Sequence, residues 1–71
     1  MMKLGILGAG KIAIHMADTV AGMKDVEAYA VAARSEERAQ AFAREHGFTR
    51  AYGSYEEMLA DPQVDLVYIA T

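Results

Sequence analysis

Residues 4–13 read Leu-Gly-Ile-Leu-Gly-Ala-Gly-Lys-Ile-Ala, an apolar run that meets two glycines spaced by one residue and continues into residues that favour helix. A phosphate-binding turn between a strand and a helix begins in this way. Gly8 allows a tight turn out of the strand, Gly10 lets the backbone approach a pyrophosphate with no Cβ in the way, and Ala13 is small enough for helix and strand to pack closely. Free N–H groups and the dipole at the helix start, around Gly10, Lys11 and Ile12, then favour a diphosphate. Glycines near a strand end are often only turns, so the reading depends on the residues around them.

Working outward, the chain reads as strand, helix, strand, helix, short strand, helix, strand. Met2 to Leu7 is an apolar run closed by Gly8; Val26 to Ala33 is another, closed by Arg34-Ser35-Glu36; Asp65 to Ala70 is the most apolar. Runs apolar on both faces and separated by helices suit a buried parallel sheet. Ile12, Met16, Val20 and Met23 recur at helical spacing and predict an apolar stripe packed on the sheet, on a helix from about Gly10 to Met23. Ser35 is placed to cap a second helix over 36–46, with Glu36 and Glu37 at its positive end, Ala39, Phe42 and Ala43 on its apolar face and Gly47 just past its end. Arg50 to Tyr52 reads as a short strand, and Ser54 with Glu57 fits a capping box opening a short helix that Asp61-Pro62 ends.

Right-handed crossovers between these elements predict an α/β fold: a Rossmann-like half domain with a parallel sheet in strand order 3-2-1-4 and helices on both faces. Residues 1–71 then form the N-terminal part of a dinucleotide-binding domain, with the substrate domain absent. The strand at 65–70 brings an apolar edge to the end of the chain, so the expectation is either a fragment or a homo-oligomer paired through that strand.

The bulk properties narrow the partners. Net charge is −3 and the seven Lys and Arg are scattered, which argues against a nucleic-acid surface. The chain has no cysteine, hence no disulfide framework and no thiolate metal site or nucleophile. Apolar runs fall far short of the roughly 18–20 residues of a membrane span, and no basic and apolar leader opens the chain. The expectation is a cytoplasmic, unprocessed chain with neither membrane nor nucleic acid as a partner.

The tip of the second strand decides the dinucleotide. NAD-preferring sites usually carry Asp or Glu there to accept hydrogen bonds from the adenosine ribose hydroxyls, whereas this chain has Ala33-Arg34-Ser35. Arginine cannot accept those bonds, but its planar fork suits a 2′-phosphate; the Ser35 hydroxyl adds a donor and Arg38, one turn on, is able to reach the same anion. The reading is NADP over NAD, against the plainer one of Arg34 and Arg38 as solvated charges partly cancelled by Glu36 and Glu37. His15 and His46 have no second ligand at metal spacing, and no metal site is expected. Met16, Met23 and Met58 read as core filler, and Tyr52 and Tyr55 as packing around a turn, or as a subunit contact if exposed.

Taken together, the run at 4–13, the segment Val31-Ala32-Ala33-Arg34-Ser35 through Gly47, and Tyr52-Gly53-Ser54-Tyr55 followed by Asp61-Pro62-x-Val64-Asp65 and Ile69-Ala70-Thr71 resemble the nucleotide domain of the glucose-fructose oxidoreductase and inositol dehydrogenase family (Gfo/Idh/MocA). The resemblance covers essentially the whole chain, and Ala33-Arg34-Ser35 is similar to the family's NADP-using branch, which includes the dihydrodiol dehydrogenases. It implies hydride transfer between a nicotinamide and the hydroxyl-bearing carbon of a sugar, polyol or related substrate. It also implies that Ala70 and Thr71 lie beside the cofactor's ribose and diphosphate. The family's catalytic lysine, in a Glu-Lys-Pro loop, and its substrate domain would lie beyond Thr71, so no catalytic residue is expected in this chain and a small-molecule substrate only in the full-length parent. The alternative is a non-catalytic nucleotide-binding or interaction module assembling through its exposed edge strand.

Overall fold

The computed structural model describes residues 2–70. Its elements run in the order β1 (Met2–Leu7), α1 (Lys11–Ala21), β2 (Val26–Ala32), α2 (Glu36–His46), β3 (Arg50–Tyr52), α3 (Tyr55–Leu59) and β4 (Leu66–Ile69). All strand pairs are parallel, and the sheet order is β3-β2-β1-β4, as the alternation of strands and helices predicts. Leu4, Ile6 and Val31 point to one face, where Ala13, Ala17 and Val20 of α1 and Phe42 and Ala43 of α2 cover them. Leu7, Ala30 and Ala32 point to the other, under Met58 of α3. Fully buried aliphatic side chains such as Leu4 and Ile6 contribute on the order of 1.5–3 kcal/mol each. No helix of the described residues is long and apolar enough to cross a membrane.

The helix ends follow local chemistry. Ser35 caps α2 by accepting a hydrogen bond from the Arg38 N–H at 3.5 Å, Glu36 and Glu37 occupy the first turn, and Gly47 closes the helix in the left-handed conformation at φ 75°. Ser54 caps α3 in the same way through the Glu57 N–H at 3.2 Å. These ends match the sequence reading because caps depend on residues within one turn.

Helix α1 departs from that reading. Ile12 and Met23 are about half exposed, and the face against the sheet consists of Ala13, Ala17 and Val20, with Met16 only partly buried. The expected stripe through Ile12, Met16, Val20 and Met23 is therefore rotated by about one residue. The turn at Gly8–Gly10 sets how the helix leaves β1, and small side chains at 13 and 17 let it approach the strands closely. Hydrophobic weight alone favoured the larger residues. Met23 is accordingly not core filler, whereas Met58 is fully buried.

A second feature escaped the pattern. The register of β1 on β2 runs Leu4 to Ala28 and then Gly5 to Ala30, so Tyr29 is an extra residue bulged out of the ladder. The bulge puts Tyr29 beside Ala30 on the α3 face. There the Tyr29 hydroxyl donates to Asp61 Oδ2 at 3.1 Å, and the Tyr52 hydroxyl donates to the same oxygen. Asp61 Oδ1 accepts the Gln63 N–H at 2.8 Å. One carboxylate at the end of α3 thus ties that helix to β2 and β3.

This tether is pH-sensitive at both limits. Hydrogen bonds from Tyr52 and from the Gln63 backbone, reinforced by Tyr29, hold the Asp61 pKa below its ordinary value. Its contribution is fully present above the unfolded carboxylate pKa of about 3.9 and is lost as pH falls through the lower folded value. The tyrosines shift the other way: burial first and Asp61 second raise Tyr29, while the Asp61 hydrogen bond first and burial second raise Tyr52. Their contribution is present below about pH 10 and is lost as pH rises through the raised folded values. Asp61→Asn should therefore lower the melting temperature at pH 7 and flatten its fall between about pH 5 and pH 2, followed by circular dichroism. An acid limb identical in both proteins would show that the tether contributes nothing.

Candidate functional site

The parallel strands end at one edge of the sheet, and β1 has β2 on one side and β4 on the other. The chain leaves β1 toward β2 and returns to its far side at β4, which makes the end of β1 the point where the strand order reverses. Open α/β sheets bind ligands in the crevice at such a point. Here the crevice is a cleft of about 340 Å³ lined by Gly8, Ala9, Gly10, Ala33, Arg34, Arg38, Tyr55 and Ala70.

Backbone hydrogen bonds assemble the rim. The Gly8 N–H donates to the Ala32 carbonyl at 2.7 Å, the Ala70 N–H to the Leu7 carbonyl at 2.8 Å and the Ala33 N–H to the Tyr52 carbonyl at 3.1 Å. Gly8 turns at φ 112°, a conformation that L side chains rarely adopt, and so needs glycine for the turn itself. Gly10 is different. Its φ of −94° and ψ of −163° suit any residue, and a Cβ there would meet no atom within 4 Å. The fold leaves open space at Gly10, which is itself one of the residues lining the cleft.

The start of α1 also differs from that of its neighbours. Helices α2 and α3 each carry a serine cap and two glutamates in the first turn, whereas α1 begins at Gly10 with no side-chain cap and no acidic residue. The first four N–H groups of a helix lack partners inside it, so the positive end of α1 is left without a compensating group from the protein. Arg34 and Arg38 add two exposed guanidinium groups on the β2 side of the same cleft. This combination of open backbone, uncapped helix end and two cations can hold a polyanion.

Of the residues singled out in the sequence, Gly8, Gly10, Arg34, Arg38 and Ala70 come together in the cleft. Lys11 and Ile12 lie on the exposed first turn of α1 and do not line it. Ala13 is fully buried in the core, in keeping with a close helix–strand contact. Ser35 is half-buried beside the cleft; its oxygen accepts from Arg38, leaving its hydroxyl proton to donate elsewhere. Thr71 lies outside the described residues. Among the described residues no group of three His, Cys, Asp or Glu could hold a metal ion. His15 is exposed, and the His46 ring sits 4.4 Å from that of Phe42.

Tyr55 is the lining residue that the sequence reading assigned elsewhere. It packs against the α3-face cluster, as expected, but also faces the cleft. A positional signal existed: a two-residue turn after β3 returns the chain at the same sheet edge as Gly8 and Arg34, so the first residue of α3 starts there.

Comparisons with known proteins agree with this geometry. Residues 2–71 match the family described as oxidoreductase family, NAD-binding Rossmann fold, Gfo/Idh/MocA. The chain is 43% identical over 72 residues to trans-1,2-dihydrobenzene-1,2-diol dehydrogenase of Danio rerio, covering 99% of this chain and 22% of that protein. It is 46% identical over 68 residues to D-xylose 1-dehydrogenase (NADP(+)) 2 of Haloferax volcanii, covering 96% of this chain and 21% of that protein. Its fold superposes with a TM-score of 0.90 on myo-inositol dehydrogenase of Lactobacillus casei in complex with NAD(H) and myo-inositol, at 25% identity over 100% of this chain and 22% of that one. The chain spans about one fifth of the length of the relatives it matches.

Proposed function

The chain belongs to the Gfo/Idh/MocA oxidoreductase family, whose shared domain is an NAD-binding Rossmann fold, and from that premise we propose that it is the NADP(H)-binding part of an oxidoreductase acting on a sugar, polyol or related hydroxy or carbonyl compound. Binding of a nicotinamide dinucleotide follows from the family itself. The preference for the 2′-phosphorylated form rests on one observation: the tip of β2 brings Arg34, together with Arg38, to the cleft and offers no carboxylate among its lining residues. A ribose diol needs an acceptor there, and a 2′-phosphate needs donors. The relative from Haloferax volcanii, named for NADP(+), is in line with this reading.

In this mechanism the protein binds and orients. The N–H groups at the start of α1, which no side chain caps, would hold the pyrophosphate, and Gly10 would leave its approach to the backbone open. Arg34 and Arg38 would hold a 2′-phosphate, with the Ser35 hydroxyl as a further donor. Ala70, just past the end of β4, lines the cleft and would leave room there for the ribose and diphosphate. When bound, the nicotinamide supplies the hydride chemistry. The chain spans about one fifth of its relatives' length, and this proposal assigns it the nucleotide-binding role alone.

Calorimetric titration of the chain with NADP⁺ and with NAD⁺ tests the proposal. The expected result is tighter binding of NADP⁺ by about tenfold or more, the equivalent of one charge-assisted hydrogen bond. Equal affinities, or tighter binding of NAD⁺, would overturn the 2′-phosphate assignment.

A further inference from the structure

Tyr55 occupies the first position of α3 and is half-buried, with part of its surface against the cluster around Leu7 and Met58 and part in the cleft. The turn that carries it is pinned at three points. Tyr52 is tied through its hydroxyl to Asp61. A Cβ on Gly53 would lie 2.9 Å from Glu36 Cβ and 3.3 Å from the Glu36 backbone, so the turn is pressed directly onto the first turn of α2. Ser54 closes the third point by capping α3. The backbone that carries Tyr55 is thus held at the cleft, and Tyr55 is the only aromatic residue lining the cleft among the described residues.

The topology says which part of a ligand meets it. With the pyrophosphate at the β1–α1 turn, one nucleoside extends over β2 and the other over β4. Tyr55 follows β3, which lies beyond β2 and away from β4, and shares its side of the cleft with Arg34 and Arg38. We propose that Tyr55 is a binding residue for the adenosine half of the dinucleotide, its ring forming the wall on which the purine stacks while the arginines hold the adjoining phosphate. This rests on the dinucleotide reading of the cleft and names the half of the ligand that Tyr55 meets. A flat, apolar, electron-rich face suits a purine, and stacking of a base on an aromatic side chain is sequence-tolerant and strong enough to measure.

Adenosine 2′,5′-bisphosphate isolates this half of the ligand because it carries the purine and the 2′-phosphate without nicotinamide. Tyr55→Leu, which keeps apolar bulk for packing on Met58, should weaken its binding by about fivefold to a hundredfold in calorimetric titration, whereas Tyr55→Phe should stay close to the parent. An unchanged affinity in Tyr55→Leu would overturn the proposal and leave the ring a packing residue. An equal loss in Tyr55→Phe and Tyr55→Leu would also overturn it, since the contact would then be made by the hydroxyl. Tyr55→Trp gives an independent readout in a chain that has no other tryptophan: the ligand should quench its emission on the same concentration scale as the calorimetric heat, and binding without quenching would count against stacking. Should the parent chain bind none of adenosine 2′,5′-bisphosphate, NADP⁺ or NAD⁺, the dinucleotide reading falls and this proposal with it. Binding by the parent with an indifferent Tyr55→Leu removes this proposal alone.

Discussion

Gly10→Val is expected to abolish binding of NADP(H) and NAD(H) alike while leaving the chain folded. The two effects separate because of the backbone at this position. Gly10 has an extended conformation open to any L residue, and a Cβ there would touch nothing within 4 Å. The fold therefore accepts the side chain at a cost on the order of 1 kcal/mol, since an apolar residue is a poorer helix cap than glycine. A bound pyrophosphate does not accept it, because the branched side chain fills the space through which the phosphates reach the N–H groups of α1. If two charge-assisted hydrogen bonds at about 1.5–3 kcal/mol each are lost, affinity falls by roughly a hundredfold or more. Titration calorimetry paired with a thermal melt checks both halves; retained affinity would make the turn a purely structural feature.

Arg34→Asp is the second substitution with a large expected effect, and it acts on preference more than on binding as such. It removes a fork of donors from the cleft and introduces an acceptor of the kind a ribose diol uses. Loss of one charged hydrogen bond to the 2′-phosphate weakens NADPH by about tenfold to a hundredfold, and repulsion between carboxylate and phosphate adds to that. NADH, with no phosphate to repel, should be affected little or bind more tightly. The quantity to measure is the ratio of the two dissociation constants, which cancels any general loss of folded protein. A ratio equal to that of the parent would sink the role of Arg34. Arg38 remains in the variant, one turn along α2, so the reversal need not be complete.

The features legible in the sequence are those set by neighbours a few residues away. Ser35 and Ser54 cap their helices, Gly47 ends α2 in a left-handed conformation and Gly8 turns at a positive φ, each as the local pattern requires. Hydrophobic runs identify the strands to within a residue or two, and their alternation with helices leads to the observed order β3-β2-β1-β4. The glycine turn at Gly8–Gly10 and the basic tip of β2 were legible for the same reason, since each lies within one strand-to-helix connection.

The remainder depends on residues far apart in the chain. Which side of α1 faces the sheet is decided by the exit from the Gly8 turn and by the close approach that Ala13 and Ala17 permit, and this left Ile12 and Met23 on the surface. The bulge at Tyr29 exists only in the register of β2 against β1, and its hydroxyl meets Asp61 across 32 residues. Tyr55 enters the cleft because β3 lies next to β2 and because Gly53 lets its turn rest on α2. By itself the sequence determined the class of fold, the glycine turn after β1 and the charge at the tip of β2, because each follows from local conformational preference and hydrophobic period. Only the tertiary structure decided the rotation of α1, the Asp61 tether and the place of Tyr55 at the cleft, because packing distance and strand register are properties of pairs of elements and no single segment encodes them.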